Sequence, residues 1–169
     1  VTGEAFRIER IRAGRKKPGL RRQHLTAVNA AKAVGQAEVT GAAMGSMALT
    51  FAPGPATPGE YHFAVGTAGS ATLVLQTVLP ALLIASGAST LTLEGGTHNP
   101  YAPPFDFLRR AFLPLINRMG PNVQARIHRH GFFPAGGRRF EVAIAPAEHL
   151  LPIDLLERGE IRRRRVRGL

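Results

Sequence analysis

The residues from Ser70 to Ala85, Ser-Ala-Thr-Leu-Val-Leu-Gln-Thr-Val-Leu-Pro-Ala-Leu-Leu-Ile-Ala, constrain the fold of this 169-residue chain more than any others. A helix built from them is apolar almost all round, so it has to pack inside, covering a sheet. The apolar run from Leu73 to Ala85 is interrupted by Gln76, Thr77 and Pro80 and is shorter than the ~20 residues a membrane span requires. A core helix is expected, and no membrane partner. Pro80 has no N–H, so the carbonyl of Gln76 loses its helical partner and the helix is expected to bend there. An amide and a freed carbonyl in an apolar helix both need partners, because each unpaired buried group costs about 1–3 kcal/mol. Neighbouring backbone is one source of partners, and a ligand hydroxyl or phosphate is the other.

The elements around this helix follow from periodicity and punctuation. Strands are expected at 61–65, 90–93, 123–128 and 140–145, with a second helix at 105–119 on which Phe105, Leu108, Phe112, Leu115, Ile116 and Met119 share one face. Pro104 suits the start of that helix and Asp106 its positive end, while Arg109, Arg110 and Arg118 fall on the solvent side. The order is βαβαββ. Ahead of the break at Pro53-Gly54-Pro55, the alternation Phe6, Ile8, Ile11 reads as a strand, 21–36 as a helix, and 37–41 and 47–51 as strands. That is βαββ, the same unit without its opening strand and helix. The expected fold class is α+β: an incomplete first repeat over 1–55, a second βαβαββ repeat over 56–147 and a basic tail over 148–169.

Charge is unevenly placed. The net charge is +11, yet residues 24–157 hold eight basic and eight acidic side chains, whereas 1–23 hold eight against two and 158–169 hold six against one. A neutral body with concentrated basic ends is a footprint for a polyanion, with RNA or DNA the first candidates. The basic loop running from Ile11 to His24 ends where a helix begins, which places Arg21, Arg22 and His24 at a positive helix end, a costly arrangement unless an anion shares it. Cysteine is absent, which removes disulfides and thiolate chemistry and fits a cytoplasmic protein. No signal peptide is evident. The six histidines form no zinc pattern, although His128 and His130 lie at strand spacing, and the Gly-rich turns at 66–70, 94–100 and 134–137 match neither a P-loop nor a dinucleotide fingerprint. The start at Val1 and the end in an arginine run give the chain the look of a piece of something longer.

Several stretches together resemble the RNA 3'-terminal phosphate cyclase family: Ile-Arg-Ala-Gly-Arg at 11–15, Pro-Gly-Leu at 18–20, Gln-His-Leu-Thr-Ala-Val at 23–28, and the whole of 66–82. Glu-Gly-Gly-Thr-His-Asn-Pro at 94–100, Ala-Pro-Pro-Phe-Asp-Phe at 102–107 and His-Gly-Phe-Phe-Pro-Ala-Gly-Gly at 130–137 continue it. The resemblance implies βαβαββ repeats like those of the C-terminal domain of translation initiation factor three and of EPSP synthase. It implies an ATP-dependent ligase-type reaction with a divalent metal, Mg or Mn, in which an enzyme histidine is adenylated and AMP passes to the 3'-phosphate of an RNA. The neighbouring 2'-hydroxyl then displaces AMP and leaves a 2',3'-cyclic phosphate. Matched position by position, Arg12, Arg15, Gln23 and His24 correspond to residues that bind the phosphate at the RNA 3' end, Gln76 to an ATP contact, and Pro103 and Phe107 to residues bordering adenine. The resemblance puts the histidine nucleophile beyond Leu169 and the acidic metal ligand in an opening segment that this chain lacks, so no catalytic residue and no metal ligand is expected within it. Arg138 stands where the family usually has a further glycine. A non-catalytic relative that binds RNA in ribosome assembly is the alternative reading.

Overall fold

Two sheets and the helices packed on them make up the architecture of the computed structural model, which describes residues 2–132, 138–164 and 166. In chain order these are β1 (Phe6–Ile8), α1 (Arg22–Val34), β2 (Glu38–Thr40), β3 (Leu49–Ala52), β4 (Glu60–Ala64), α2 (Ala71–Leu82) and β5 (Ser89–Gly95). Then follow α3 (Phe105–Phe107), a π-helical turn (Leu108–Phe112), α4 (Leu113–Asn117), β6 (Asn122–Ile127) and β7 (Arg138–Ala145). The first sheet is antiparallel with order β1-β3-β2; the second has order β4-β5-β7-β6, with β4 parallel to β5 and the other pairs antiparallel. The class is α+β, as the sequence pattern indicates. The Gly-rich turn expected at 134–137 lies outside the described residues.

Register explains the layering. Leu91 pairs with Val142 and Leu93 with Phe140, and across β7 these meet Ala125 and Ile127, so one face of the second sheet is apolar. That face is covered by α2, whose Ala71, Val74, Leu75, Val78, Leu79 and Leu82 are all buried. Burial of a Leu or Val side chain stabilises by roughly 1.5–3 kcal/mol each, which makes α2 the main anchor of the core. Ala30 and Val34 of α1 join the same core, so α2 is held between the second sheet and the helix of the first. The opposite sheet face is polar, with His62 paired to Glu94 at 3.1 Å and His128 to Glu141 at 2.9 Å.

Three expectations are corrected. Gln76 is not a buried amide: it is exposed with Thr77 and Pro80, because positions i, i+1 and i+4 share one helix face and that face is solvated. The helix continues through Pro80 to Leu82. The helix expected over 105–119 is three consecutive pieces, since Pro114 has no N–H to give the carbonyl of Arg110 and the chain widens instead, Leu113 donating five residues back to Leu108. His128 and His130 do not form a pair on one strand: β6 ends at Ile127, His128 turns to Glu141, and His130 packs with His98 and Phe132. Among the described residues no helix is long and apolar enough to cross a membrane, and residues 150–164 carry no helix or strand.

A groove of about 370 Å³ opens between the first sheet, α1 and α2, with Phe6, Ile8, Val28, Leu49, Phe51 and Ala81 in its walls. Phe6 and Ile8 are 47% and 44% exposed, and contiguous exposed apolar surface drives association. Sedimentation velocity on the 169-residue chain should show an average mass that rises with concentration, and the double variant Phe6→Ser, Ile8→Ser should lower it. A single monomer boundary at every concentration would contradict this.

Candidate functional site

The basic loop is built, not loose. Its two ends are joined by Gly19 N–H donating to the Ile11 carbonyl at 2.9 Å, and its base is stitched to the β2–β3 connection by Leu20 N–H to Ser46 O and Gly45 N–H to Leu20 O. Leu20 is buried on a small second core with Ala37, Leu49 and Phe51. At Gly19 the backbone has φ +75° and a Cβ would collide with the Gly45 carbonyl, so only glycine fits. The loop is entered through two left-handed arginines, Arg10 at φ +56° and Arg12 at φ +53°. A left-handed arginine costs on the order of 1–2 kcal/mol, offset here because Arg12 Nη1 donates to Lys17 O at 2.7 Å and to Gly19 O at 3.0 Å. Arg12 thus closes the loop, while Arg15 stands exposed on it.

The loop delivers the chain into the first turn of α1, which has no acidic residue to balance its positive end. His24 Nδ1 accepts the Arg21 N–H at 3.2 Å, which caps the helix and fixes the neutral imidazole with its proton on Nε2. Burial, then the neighbouring charges of Arg12 and Arg21, hold the His24 pKa below its usual 6.5. Gln23 points across to α2: its Oε1 accepts the backbone N–H of Ser70 at 2.7 Å. Arg22, the next side chain on this turn, reaches the same loop, its Nη1 lying 3.8 Å from where a Cβ on Gly66 would sit.

Loops after β4 and β5 meet this turn because both strands point the same way. Ser70 bridges to Gly96 and caps α2 by accepting from Leu73 N–H, and its hydroxyl lies 2.6 Å from Thr72 Oγ1, which donates to the Pro103 carbonyl at 2.8 Å. Asn99 Nδ2 donates to the Ala68 carbonyl and ties the two loops together. Gln76, Pro103 and Phe107, the three residues matched to nucleotide contacts, line one small cavity of about 130 Å³ with Leu75, Leu108 and Phe112. Phe107 is half exposed at its rim. The apolar walls suit the face of a planar base and leave its sugar and phosphates outside.

A second cluster lies beside it. His98 Nε2 is 3.2 Å from Asp106 Oδ2, its Nδ1 is 2.9 Å from Thr97 Oγ1, and Arg110 Nε donates to Asp106 Oδ1 at 3.0 Å. Burial alone would raise the Asp106 pKa, but the His98 hydrogen bond and the charges of Arg110 and Arg109 bring it below the ordinary carboxylate value. Thr97 is buried and its hydroxyl oxygen accepts Gly131 N–H at 2.9 Å, so this chain of bonds ties the start of α3 to the segment after β6. The structure brings Arg12, Gln23 and His24 to one end of α1, leaves Arg15 exposed on the loop that Arg12 closes, and brings Gln76, Pro103 and Phe107 to one cavity on α2. Sequence reasoning put Arg22 at the basic helix end but did not assign Ser70 or Asn99 to the site; the Gly-rich turns signalled these two but not that they would meet. Among the described residues no three His, Asp or Glu side chains come together as metal ligands.

His24 gives a pH test. Its folded pKa lies below the unfolded value, so its contribution to stability is complete above about pH 6.5 and is lost as pH falls through the folded value. Nitrogen NMR of the imidazole should show the Nε2–H tautomer and a midpoint below 6.5, and Arg12→Ala should move the midpoint up. A midpoint above 6.5 would contradict the packing described.

Comparison with known proteins agrees with the motifs. A profile described as RNA 3'-terminal phosphate cyclase matches residues 1–157. The chain is 58% identical over 161 residues to the RNA 3'-terminal phosphate cyclase of Koribacter versatilis, covering 95% of this chain and 45% of that protein. It is 57% identical over 170 residues to the protein of that name from Ralstonia nicotianae, covering 100% and 49%, and 52% identical over 163 residues to that from Salmonella agona, covering 96% and 47%. It therefore spans about half the length of these relatives. With nearly its whole length matched at such identity, the chain belongs to the RNA 3'-terminal phosphate cyclase family.

Proposed function

We propose that this chain forms the RNA-end and nucleotide-binding part of an enzyme that converts an RNA 3'-terminal phosphate into a 2',3'-cyclic phosphate at the expense of ATP. The observation that carries the reading is the uncompensated cluster of cations at the start of α1, with neutral His24 and Gln23 on the same turn. Arg15 and Arg22 supply the charge, His24 Nε2–H and the Gln23 amide supply directional donors, and Arg12 sets the loop that presents them. ATP, when bound, supplies the adenylyl group that makes a phosphate oxygen a good leaving group. Pro103 and Phe107 would border its base, with Gln76 exposed on the wall of the same cavity. The shared bonds through Ser70, Thr72 and the Pro103 carbonyl keep the two subsites in a fixed relation.

The repeat organisation belongs to the same reading. The order β1-β3-β2, with α1 between β1 and β2, matches β5-β7-β6, with the α3 to α4 stretch between β5 and β6. On that match, 1–55 is an incomplete βαβαββ unit, 56–147 a whole one, and 148–169 a basic connection.

Binding of one short RNA ending in phosphate or in hydroxyl tests the site. A dianionic end engages charge-assisted bonds about twice as strong as neutral ones, so a preference for the phosphate of roughly tenfold, or about 1.4 kcal/mol, is expected. Arg15→Ala should erase most of it with an unchanged melting temperature, Arg12→Ala should also lower the melting temperature, and Arg164→Ala should weaken both RNAs alike. Equal affinities for the two ends would overturn the assignment. Neither His24 nor His98 is placed here as a nucleophile, so labelled ATP should leave no denaturation-resistant adduct on this chain; an adduct would move the chemistry into it.

A further inference from the structure

Tyr101 is the most conspicuous side chain on the molecule that no packing explains. Its ring is fully exposed, and its backbone is left-handed at φ +63°, a conformation rarely adopted by an aromatic residue. Two residues before it, Asn99 spends its amide N–H on the Ala68 carbonyl, and its Oδ1 is buried with no hydrogen-bond partner among the described residues. Two unfavourable features in three residues hold one lip of a cleft in place, and strain of this kind clusters where ligands are clamped. The cleft, about 500 Å³, is walled by Thr67, Ala68 and Gly69 on one side and Asn99, Pro100 and Tyr101 on the other. Among the described residues no charged side chain lines it.

Its neighbours give it a direction. A Cβ on Gly69 would lie 3.1 Å from Gln23 Cβ and 3.1 Å from Gln23 Oε1, so the cleft floor rests on the same glutamine that stands at the basic turn, and Arg22 reaches the start of the same loop at Gly66. A neutral slot with an aromatic lip, opening beside a cationic turn, fits a nucleobase whose phosphate is held by the cations. On the proposed function the base of ATP takes a separate cavity, the one lined by Gln76, Pro103 and Phe107.

We propose that the cleft between Thr67–Gly69 and Asn99–Tyr101 receives the 3'-terminal nucleobase of the RNA, with the Tyr101 ring as its stacking face. The inference rests on the RNA-end reading above and names a base-stacking residue for it. Tyr101 takes bases of any identity, because every base presents a π-face. Asn99 is a positioning residue that fastens the lip to the opposite loop.

The test is fluorescence of a short RNA carrying 2-aminopurine either as its last nucleotide or five positions upstream, each with a 3'-phosphate and a 3'-hydroxyl end, titrated with the 169-residue chain. The terminal probe should be quenched on binding and the upstream probe much less. Tyr101→Ala should abolish the terminal quench and weaken binding about tenfold, within what one base–aromatic stack provides, while Tyr101→Phe, which keeps the ring, should restore both. An RNA ending in an abasic ribose phosphate should bind wild type and Tyr101→Ala equally. A terminal quench that survives Tyr101→Ala, or that is absent in wild type, overturns the subsite. If the Tyr101-dependent quench persists while phosphate and hydroxyl ends bind alike, the base subsite stands and the phosphate assignment falls, so the two failures are distinct.

Discussion

Everything in this molecule depends on the burial of α2. Its apolar side fills the space between the second sheet and α1, so the helix of the first sheet and the strands of the second share one core. Because α1 contributes Ala30 and Val34 to that core and no more, its first turn lies at the edge, where polar contacts take over from packing. There the Gln23 to Ser70 hydrogen bond fixes the azimuth of one helix start against the other. Without the packed helix pair this bond would have no geometry to enforce, and without the bond the two helix ends would be free to slide by the small distances that decide whether two subsites cooperate.

The direction of the strands does the rest. In the second sheet β4 and β5 are parallel, and β6 runs with them because it is twice antiparallel through β7. The segments that leave β4, β5 and β6 therefore emerge at one end, together with the starts of α2 and α3. Chemistry in layered α/β sheets gathers at the carboxyl ends of strands for this reason. Two turns that carry little meaning separately in the sequence, 66–70 and 94–100, become by topology one cluster made of Ser70, Thr97, His98 and Asn99.

The parts legible in the sequence were those governed by short-range periodicity and by motif. Alternation and helical stripes located every strand and helix of both sheets to within a few residues, since each element buries one face and the burial period is written directly in the side chains. Three features escaped because a second, longer-range term decided them. Gln76 turned outward because Thr77 and Pro80 share its face, a grouping seen only once the helix phase is known. The π turn at Leu108–Phe112 followed from the missing N–H of Pro114, which a stripe of apolar residues does not reveal. The curl at Arg12 depended on the carbonyls of Lys17 and Gly19 arriving within reach of its guanidinium, and no local propensity would place an arginine there. Of the site residues, the placement of Arg15, Gln23 and His24 came from motif, whereas the roles of Ser70 and Asn99 needed the sheets to be assembled.

The cations at the start of α1 illustrate how a stable fold tolerates an arrangement that works against it. Positive side chains at a positive helix end repel the dipole, by a few tenths of a kcal/mol to about 1 kcal/mol each at the surface. The chain limits the damage in two ways. Arg12 turns its charge inward onto two carbonyls, so part of the repulsion is exchanged for charge-assisted bonds. His24 stays neutral, because burial and the neighbouring arginines disfavour its proton, and in that form it accepts the Arg21 N–H that the helix start would otherwise leave unpaired. What remains is a helix start whose positive field no acidic residue in the first turn balances, so a bound anion would relieve repulsion that the fold carries in its absence. On the proposed function, selectivity for a doubly charged end over a neutral one would need no rearrangement, since the field of the cations is already present in the folded chain.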